Sequence, residues 1–469
     1  MAKSITDNRV AQDIQPTYNR SVRIEPSRQR LSSNGGALLL RELDEALAFF
    51  PSFSDKLMDP RDPGMIHYSL QELLRQRVFQ IALGERAQDA ADRLRDDPVL
   101  RAAVHAGGGP RAFDKALSSQ PTQSRLLDIV AHPENRRCFT REAVPDLLLQ
   151  TRRRFHCKPR RTLTLDLDST NHPVYGRQPG GRYNGHYEER CYHPLLAFVA
   201  ETGDLAHAWL RNGNVTSESG AWAFVQPVLR VLEQTHEGRI DFRGDAAFAH
   251  PKLMHQLETH EHRYVFRLKK NPVLDRLAAP FLTRPVGRPP DHIRTWMHEL
   301  TYAAKSWPNE RRVLLVVIDD PAERFLGDPQ LRYFFLVTNY KRREKNGETL
   351  LEHYRQRGTC ETWIGQLKRE ISPLLNADTF HENQVNLVLF ALAYQFGVLL
   401  AKLQAQTAGA TVRMQLATVR THLLKVAARV ILHARRVIVQ IAEEAFEPWQ
   451  AIFAALKNAA ADVSARGSP

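Results

Sequence analysis

From Glu352 to Ile371 the chain reads EHYRQRGTCETWIGQLKREI. At about 100° of helical rotation per residue, Tyr354, Arg357, Glu361 and Lys368 fall at roughly 0, −60, −20 and −40°. One helix over this stretch carries all four on a single polar face. Cys360, Ile364, Leu367 and Ile371 make a separate apolar stripe, which must face a core. The polar face is either a solvated charged surface or an acid held among cations that grip phosphates. The rest of the chain decides between them.

With 469 residues, the chain can bury a substantial core and divides into more than one structural unit. Its 65 Lys and Arg against 52 Asp and Glu leave a formal charge of +13 and a pI near 9.7. That excess favours a polyanionic partner. The N-terminus, MAKSITDNRVAQDIQP, has no apolar core of a secretory signal. The most apolar window, VNLVLFALAYQFGVLLA from Val385, contains Asn386 and Gln395 and reads as a buried core helix, not a membrane span. No convincing exposed amphipathic face supports binding to an anionic membrane. Cys138, Cys157, Cys191 and Cys360 are scattered without a CxxC pair, and the spacing of His186, Cys191 and His193 matches no usual zinc site. The expectation is a soluble cytoplasmic protein.

Residues 1 to 150 read as helical, with Leu70, Leu74, Val78 and Ile81 at helical spacing and FDKALSSQPTQSRLLDIV as two short helices around a turn. Arg152, Arg153, Arg154, Lys158, Arg160 and Arg161 then crowd a linker-like run, either a solvated connector or an arm that tracks phosphates. From Leu163 the pattern changes. LTLDLD alternates, with Leu163, Leu165 and Leu167 on one face and Thr164, Asp166 and Asp168 on the other, as in a strand. Beyond a Gly-rich loop, the order is strand, strand, helix, strand, helix, strand. Pro227 should kink or break the first of those helices. Residues 271–350 read as a β-rich insertion that opens with a Pro-rich loop and holds strands at RRVLLVVIDDP and LRYFFLVTNY. Apolar helices return beyond Asn376, and RVILHARRVIVQIA is ambiguous between strand and helix.

Three acids stand where such an architecture gathers a site: Asp168 at the end of the first strand, Asp245 at the end of the fourth, and Glu361 on the helix after the insertion. Three carboxylates suit hard divalent cations such as Mg²⁺ or Mn²⁺. Two such ions can serve the attacking and leaving oxygens of phosphoryl transfer. Asp166 shares a face with Asp168 and competes for the first place; Asp168 is preferred because it sits at the strand end beside Ser169 and Thr170.

The element order is that of the ribonuclease-H-like fold. Asp168 in LDLDST, Asp245 in FRGDAAF and Glu361 in CETW resemble the acidic triad of DDE insertion-sequence transposases. The spacing Tyr354-x2-Arg357-x3-Glu361-x6-Lys368 is similar to the Tyr-Arg-Glu-Lys signature of one branch. The loop YGRQPGGRYNGHYEERCYHPLLAFVAETGDL resembles the insertion-sequence 1380 family within that branch. The resemblance spans roughly Arg161 to Ala401, and a β-rich insertion between the second Asp and the Glu is expected of the branch.

The resemblance implies a mixed α/β chain in five parts. A helical DNA-binding region (1–150) precedes the first part of a ribonuclease-H-like core (151–270), the β-rich insertion (271–350), the rest of the core with Glu361 (351–405) and a C-terminal region for dimerisation (406–469). It implies that Asp168, Asp245 and Glu361 hold two Mg²⁺ or Mn²⁺ ions, that Arg357 and Lys368 contact phosphates near the cut, and that Tyr354 packs on the backbone there. The basic run at 152–161 joins the N-terminal helices as the expected reader of DNA ends. In relatives an aromatic residue of the insertion stacks on a flipped base; Trp296 and Trp307 lie in that interval, though each also suits ordinary packing. The implied protein is a bacterial transposase on the nucleoid, cutting its element's inverted repeats and joining the 3′-OH to target DNA as a homodimer. A nuclease of the same fold without strand transfer, and a regulatory or silenced relic that only binds DNA, remain open from the residues.

Overall fold

The alternation of Leu163, Leu165 and Leu167 with Thr164, Asp166 and Asp168 does form a strand, β1 (Thr162–Ser169), and a sheet is assembled around it. The computed structural model describes residues 14–19, 21–106, 109–155, 160–284, 286, 291–321 and 331–465. With β1 come β2 (Leu195–Val199), β3 (Asp204–Trp209), β4 (Arg239–Gly244) and β5 (Arg263–Leu268). Three further strands are β6 (Arg294–Tyr302), β7 (Arg311–Asp319) and β8 (Arg332–Thr338). The spatial order is β6-β7-β8-β5-β4-β1-β2-β3. The pairs β1–β4 and β4–β5 are parallel and all others antiparallel.

Among the helices, α1 (Leu70–Ala82) and α2 (Pro133–Arg154) precede the sheet, α3 (Ala221–Thr235) joins β3 to β4, and α4 (Pro251–Thr259) joins β4 to β5. Parallel neighbours need such crossovers. The order β1-β2-β3-α3-β4-α4-β5 is the one expected from the sequence, and the mixed α/β class holds. Pro227 does not break α3; the helix runs through it from Ala221 to Thr235, forgoing the bond to the Ala223 carbonyl.

The insertion holds the two expected strands and one more. Its three strands extend the core sheet, because β8 pairs antiparallel with β5 through Phe335–Thr338 and Val265–Leu268. Strand β6 was hidden by its sequence, RTWMHELTY, which lacks clean alternation of polar and apolar residues. The Pro-rich stretch starts with a helix, Pro272–Ala278, capped by the Asn271 side chain with proline at its first position. FDKALSSQPTQSRLLDIV holds one helix, Gln120–Ala131, where two were expected.

After the sheet follow α5 (Gly347–Arg355), α6 (Gly358–Gln366), α7 (Phe380–Thr407) and α8 (Glu443–Ala465). The ambiguous C-terminal stretch is a hairpin of β9 (Ala428–His433) and β10 (Arg436–Ile441), and β9 also pairs with Arg30–Ser32. The two ends of the chain therefore share one small sheet.

Helix α7 is long and apolar enough to cross a membrane by composition, yet its apolar window is wholly buried inside the protein. It packs between α1, α2 and β3, and Phe396 stacks on Phe50 at 5.6 Å. The two polar residues noted in this run have different environments. Gln395 accepts from the Leu205 N–H at 3.0 Å and donates to buried Asp204 at 2.6 Å, fastening the helix to β3; Lys402 also pairs with Asp204. Asn386 leaves its side-chain oxygen without a partner among the described residues. Replacing Gln395 with Leu keeps the volume but strands a buried N–H and part of a carboxylate. Gln395→Leu should therefore lower the unfolding free energy by about 1–3 kcal/mol in urea titration; no loss would show that the link carries nothing.

Candidate active site

Strands β1 and β4 run parallel with Asp166 level with Arg243. Side chains two residues apart share a face. The next position on that face is Asp168 on β1 and Asp245 just beyond β4, on chains about 5 Å apart. Two successive cross-strand positions thus hold opposite contents. At the first, Arg243 donates to both carboxylate oxygens of Asp166 at 2.6 and 2.8 Å, and both residues are buried. Arg243 also donates to the His353 carbonyl on α5. Asp166 is thereby fully occupied, and Asp168 is the one left facing the site.

At the second position two acids face each other. Burial pushes the Asp168 carboxyl up to about 7, with Arg357 opposing the rise and Asp245 and Glu361 adding to it. Asp245 accepts from the Ala247 N–H at 2.9 Å, which fixes the turn after β4. Arg357 donates to Asp168 at 2.7 Å and to Glu361 at 3.1 Å, so one guanidinium links two of the three acids. The side chains of Arg357 and Asp168 are nearly buried, whereas that of Glu361 is 66% exposed.

The stretch expected as one helix is broken into two. Helix α5 ends at Arg355 and α6 starts at Gly358, with i→i+3 bonds from Arg357 N–H to the Tyr354 carbonyl and from Cys360 N–H to the Arg357 carbonyl. Gly358 weakens the helix at that point, and the tighter turn advances the face by more than 100° per residue. A wide π turn, Leu367–Ile371, closes the stretch. The apolar stripe survives: Cys360, Ile364, Leu367 and Ile371 are all buried. Tyr354, Arg357 and Glu361 stay near the acids. Lys368 instead reaches Asn171 at 2.8 Å, just past the end of β1.

The basic run is also redistributed. Arg152, Arg153 and Arg154 form the last turn of α2, not a linker. Arg152 is buried and donates to Thr235 at 2.7 Å, so it holds α2 to α3 and is not available to a partner; Arg153 donates to Gln234. Arg160 and Arg161 are exposed ahead of β1, and Lys158 lies outside the described residues. Trp307 packs edge-on against Tyr302 at 5.4 Å, and Trp296 is half-buried against the Phe281 carbonyl. Asp319, at the end of β7, is paired with Arg284 and Arg294.

Sequence reading missed the neighbours of Asp245. A cavity of about 670 Å³ opens beside it, lined by His186, Tyr187, His193, Ser217, His250 and Lys269. The Gly-rich loop forms a small antiparallel sheet from His172–Pro173, Arg182–Asn184 and Glu189–Tyr192, whose tip carries His186 and Tyr187 to this place. Burial pushes the Tyr187 hydroxyl up to about 12, with Asp168 and Asp245 adding to the rise. His193 bonds the Val215 carbonyl through Nδ1. The density of Tyr and His in that loop was the available signal.

Among the described residues, no three His, Cys, Asp or Glu side chains already form a cation cage. The donor chemistry nonetheless fits a hard divalent cation: the Asp245 and Glu361 carboxylates are close enough to Asp168 to raise its pKa, and Arg357 bonds both Asp168 and Glu361. A family model described as transposase DDE domain, group 1, matches residues 14–464. The chain belongs to the DDE transposases. That family comprises enzymes that cleave and transfer phosphodiester bonds and generally use divalent metal ions. No curated protein matches the chain in sequence. Among solved structures, the cryo-EM structure of the piggyBac transposase synaptic complex with hairpin DNA is similar at a TM-score of 0.41 and 13% identity, over 84% of this chain and 81% of that one.

The two acids of β1 in this transposase should separate by experiment. Asp166→Asn leaves the buried Arg243 charge uncompensated and should lower stability by about 3–5 kcal/mol. Asp168→Asn also loses an ion pair, but Arg357 keeps Glu361 as a partner and the Asp168 carboxylate is itself disfavoured by burial, so the loss should be smaller, about 1–2 kcal/mol. Urea titration of both proteins at neutral pH checks the contrast; equal losses would contradict it.

Proposed function

We propose that the chain is the transposase of a bacterial insertion sequence, acting by a cut-and-paste route on double-stranded DNA. The supporting observation is the gathering of Asp168 at the end of β1, Asp245 just beyond the neighbouring parallel strand β4, and Glu361 linked to Asp168 through Arg357. In this reading Asp168, Asp245 and Glu361 hold two Mg²⁺ or Mn²⁺ ions. Bound there, the ions supply Lewis acidity at the scissile phosphate and lower the pKa of the attacking group. Arg357 shifts from the acids to a phosphate beside the cut, where its planar fork suits bidentate contact. Lys368, held by Asn171, and Tyr354 take the backbone on either side. Water first attacks the phosphorus at each element end and the 3′ oxygen departs. That 3′-OH then attacks a target phosphodiester, so one bond forms as another breaks and no external energy source is needed.

The Tyr-Arg-Glu-Lys spacing and the Gly-rich loop support placement beside the insertion-sequence 1380 family. The N-terminal helices, with Arg160 and Arg161 exposed at the head of β1, are the assigned readers of the terminal inverted repeats. Two copies pair the two ends. The protein works in the cytoplasm on the nucleoid, consistent with its net charge of +13.

The test uses purified protein and a plasmid carrying DNA that flanks the gene, incubated with Mg²⁺, Mn²⁺ or EDTA. Metal-dependent breaks should map to inverted ends, and joined products should follow. Glu361→Ala should cut at least about 100-fold more slowly while binding DNA as before. Lys368→Ala should weaken binding and reduce the salt slope of log K by about 1. Unchanged cutting by Glu361→Ala would place the chemistry elsewhere; binding without any cut would favour a regulatory relic, and cuts without joining a nuclease.

A further inference from the structure

The C-terminal hairpin ends in an edge strand that Gly109–Phe113 approaches near Arg435 without bonding its backbone. Strand β10 is the last strand of its sheet, and its far side has no backbone partner among the described residues. The two-residue turn Ala434–Arg435 pairs His433 with Arg436 as the first rung. Hydrogen-bonded and non-bonded rungs alternate in an antiparallel pair. The N–H and C=O groups of Val437, Val439 and Ile441 therefore point away from β9. Natural edges are usually blunted by proline, bulges or charges. From Val437 to Ile441, VIVQI has none of these. Its outer face exposes Ile438 at 45%, and an apolar groove of about 1030 Å³ runs alongside, lined by Val439, Ile441 and Trp449 with Phe446 exposed at 59%.

Charge identifies what fits the edge. Exposed Arg435 precedes the strand and exposed Glu443 follows it, and neither has an ion-pair partner among the described residues. Suppose a second β10 lies antiparallel across this edge, with a two-fold axis at Val439. Val437 then stands opposite Ile441, all three outward-facing residues are bonded, and the turn residue Arg435 of each copy is brought to the end of the edge where Glu443 opens α8 of the other. Sliding the register by two residues sets Arg435 against Ile441 or Glu443 against Val437. An interface of this kind is isologous, satisfied by one patch meeting itself.

We infer that two copies of the chain dimerise through β10, continuing the terminal sheet from one molecule to the next and covering Phe446. This names the surface for the pairing of copies proposed above and in that respect rests on that reading. The association needs no DNA.

The test is molar mass by light scattering during size exclusion, on the full chain without DNA at tens of micromolar. Wild type should elute at about twice 53.6 kDa. Arg435→Glu should shift it to the monomer, and Arg435→Glu combined with Glu443→Arg should restore the dimer, since both sites are exposed and the pairs are only exchanged. Val439→Pro should also give monomer, because its N–H faces outward and the ladder to β9 is kept. A monomeric wild type, or a dimer unchanged by Arg435→Glu, overturns the inference. Metal-dependent cutting by a monomeric wild type would remove this interface and leave the transposase reading standing; a dimer responsive to these variants that never cuts would do the reverse.

Discussion

The parallel pairing of β1 with β4 is the constraint on which the site depends. It sets Asp166 against Arg243, and where the ladder ends just beyond them Asp168 and Asp245 come close enough for one charge to act on the other. The first pair is closed: a buried carboxylate and guanidinium satisfy each other through two hydrogen bonds. A buried pair of this kind contributes little net stability but is expensive to break, so it locks the register. A slip of one residue would turn Asp168 and Asp245 to the opposite face. At the second position no such cross-strand partner exists: the Arg357 guanidinium offsets part of the repulsion that Asp245 exerts on Asp168.

Arg243 carries that constraint beyond the strands. By donating to the His353 carbonyl it ties α5 to the strand pair, and α5 leads into the turn that presents Arg357 and Glu361. Below that turn, Cys360, Ile364 and Leu367 anchor α6 in the core shared with α7. The acids thus stand on regular elements packed from beneath, while Glu361 and Lys368 remain at the surface. This division suits a site that must hold charged groups in place and still admit a large anionic partner.

The insertion shows how local pattern and assembly can diverge. Its apolar strands β7 and β8 were legible, yet nothing local indicates which edge they join. Strand β8 found the free edge of β5, and the sheet grew to eight strands. Similarly, Arg152 belongs by sequence to a run of free cations, but its place on α2 opposite Thr235 makes it a structural donor.

The sequence by itself determined the mixed α/β class, the element order from β1 to β5, the buried helix around Gln395 and the acids at strand ends. Those features follow from alternation, helical periodicity and the position of polar residues at the ends of apolar runs. They are local, so a single chain displays them. Tertiary structure alone decided that Asp166 is closed off by Arg243 while Asp168 is held by Arg357 among the site acids, because that depends on Arg243 arriving from a strand 77 residues away. It also decided that the Glu361 stretch turns sharply at Arg357, that the Tyr187 loop folds back beside Asp245, and that both chain ends share one sheet. Each of these arises where distant segments meet, and pairing between distant segments leaves no periodic trace in either one.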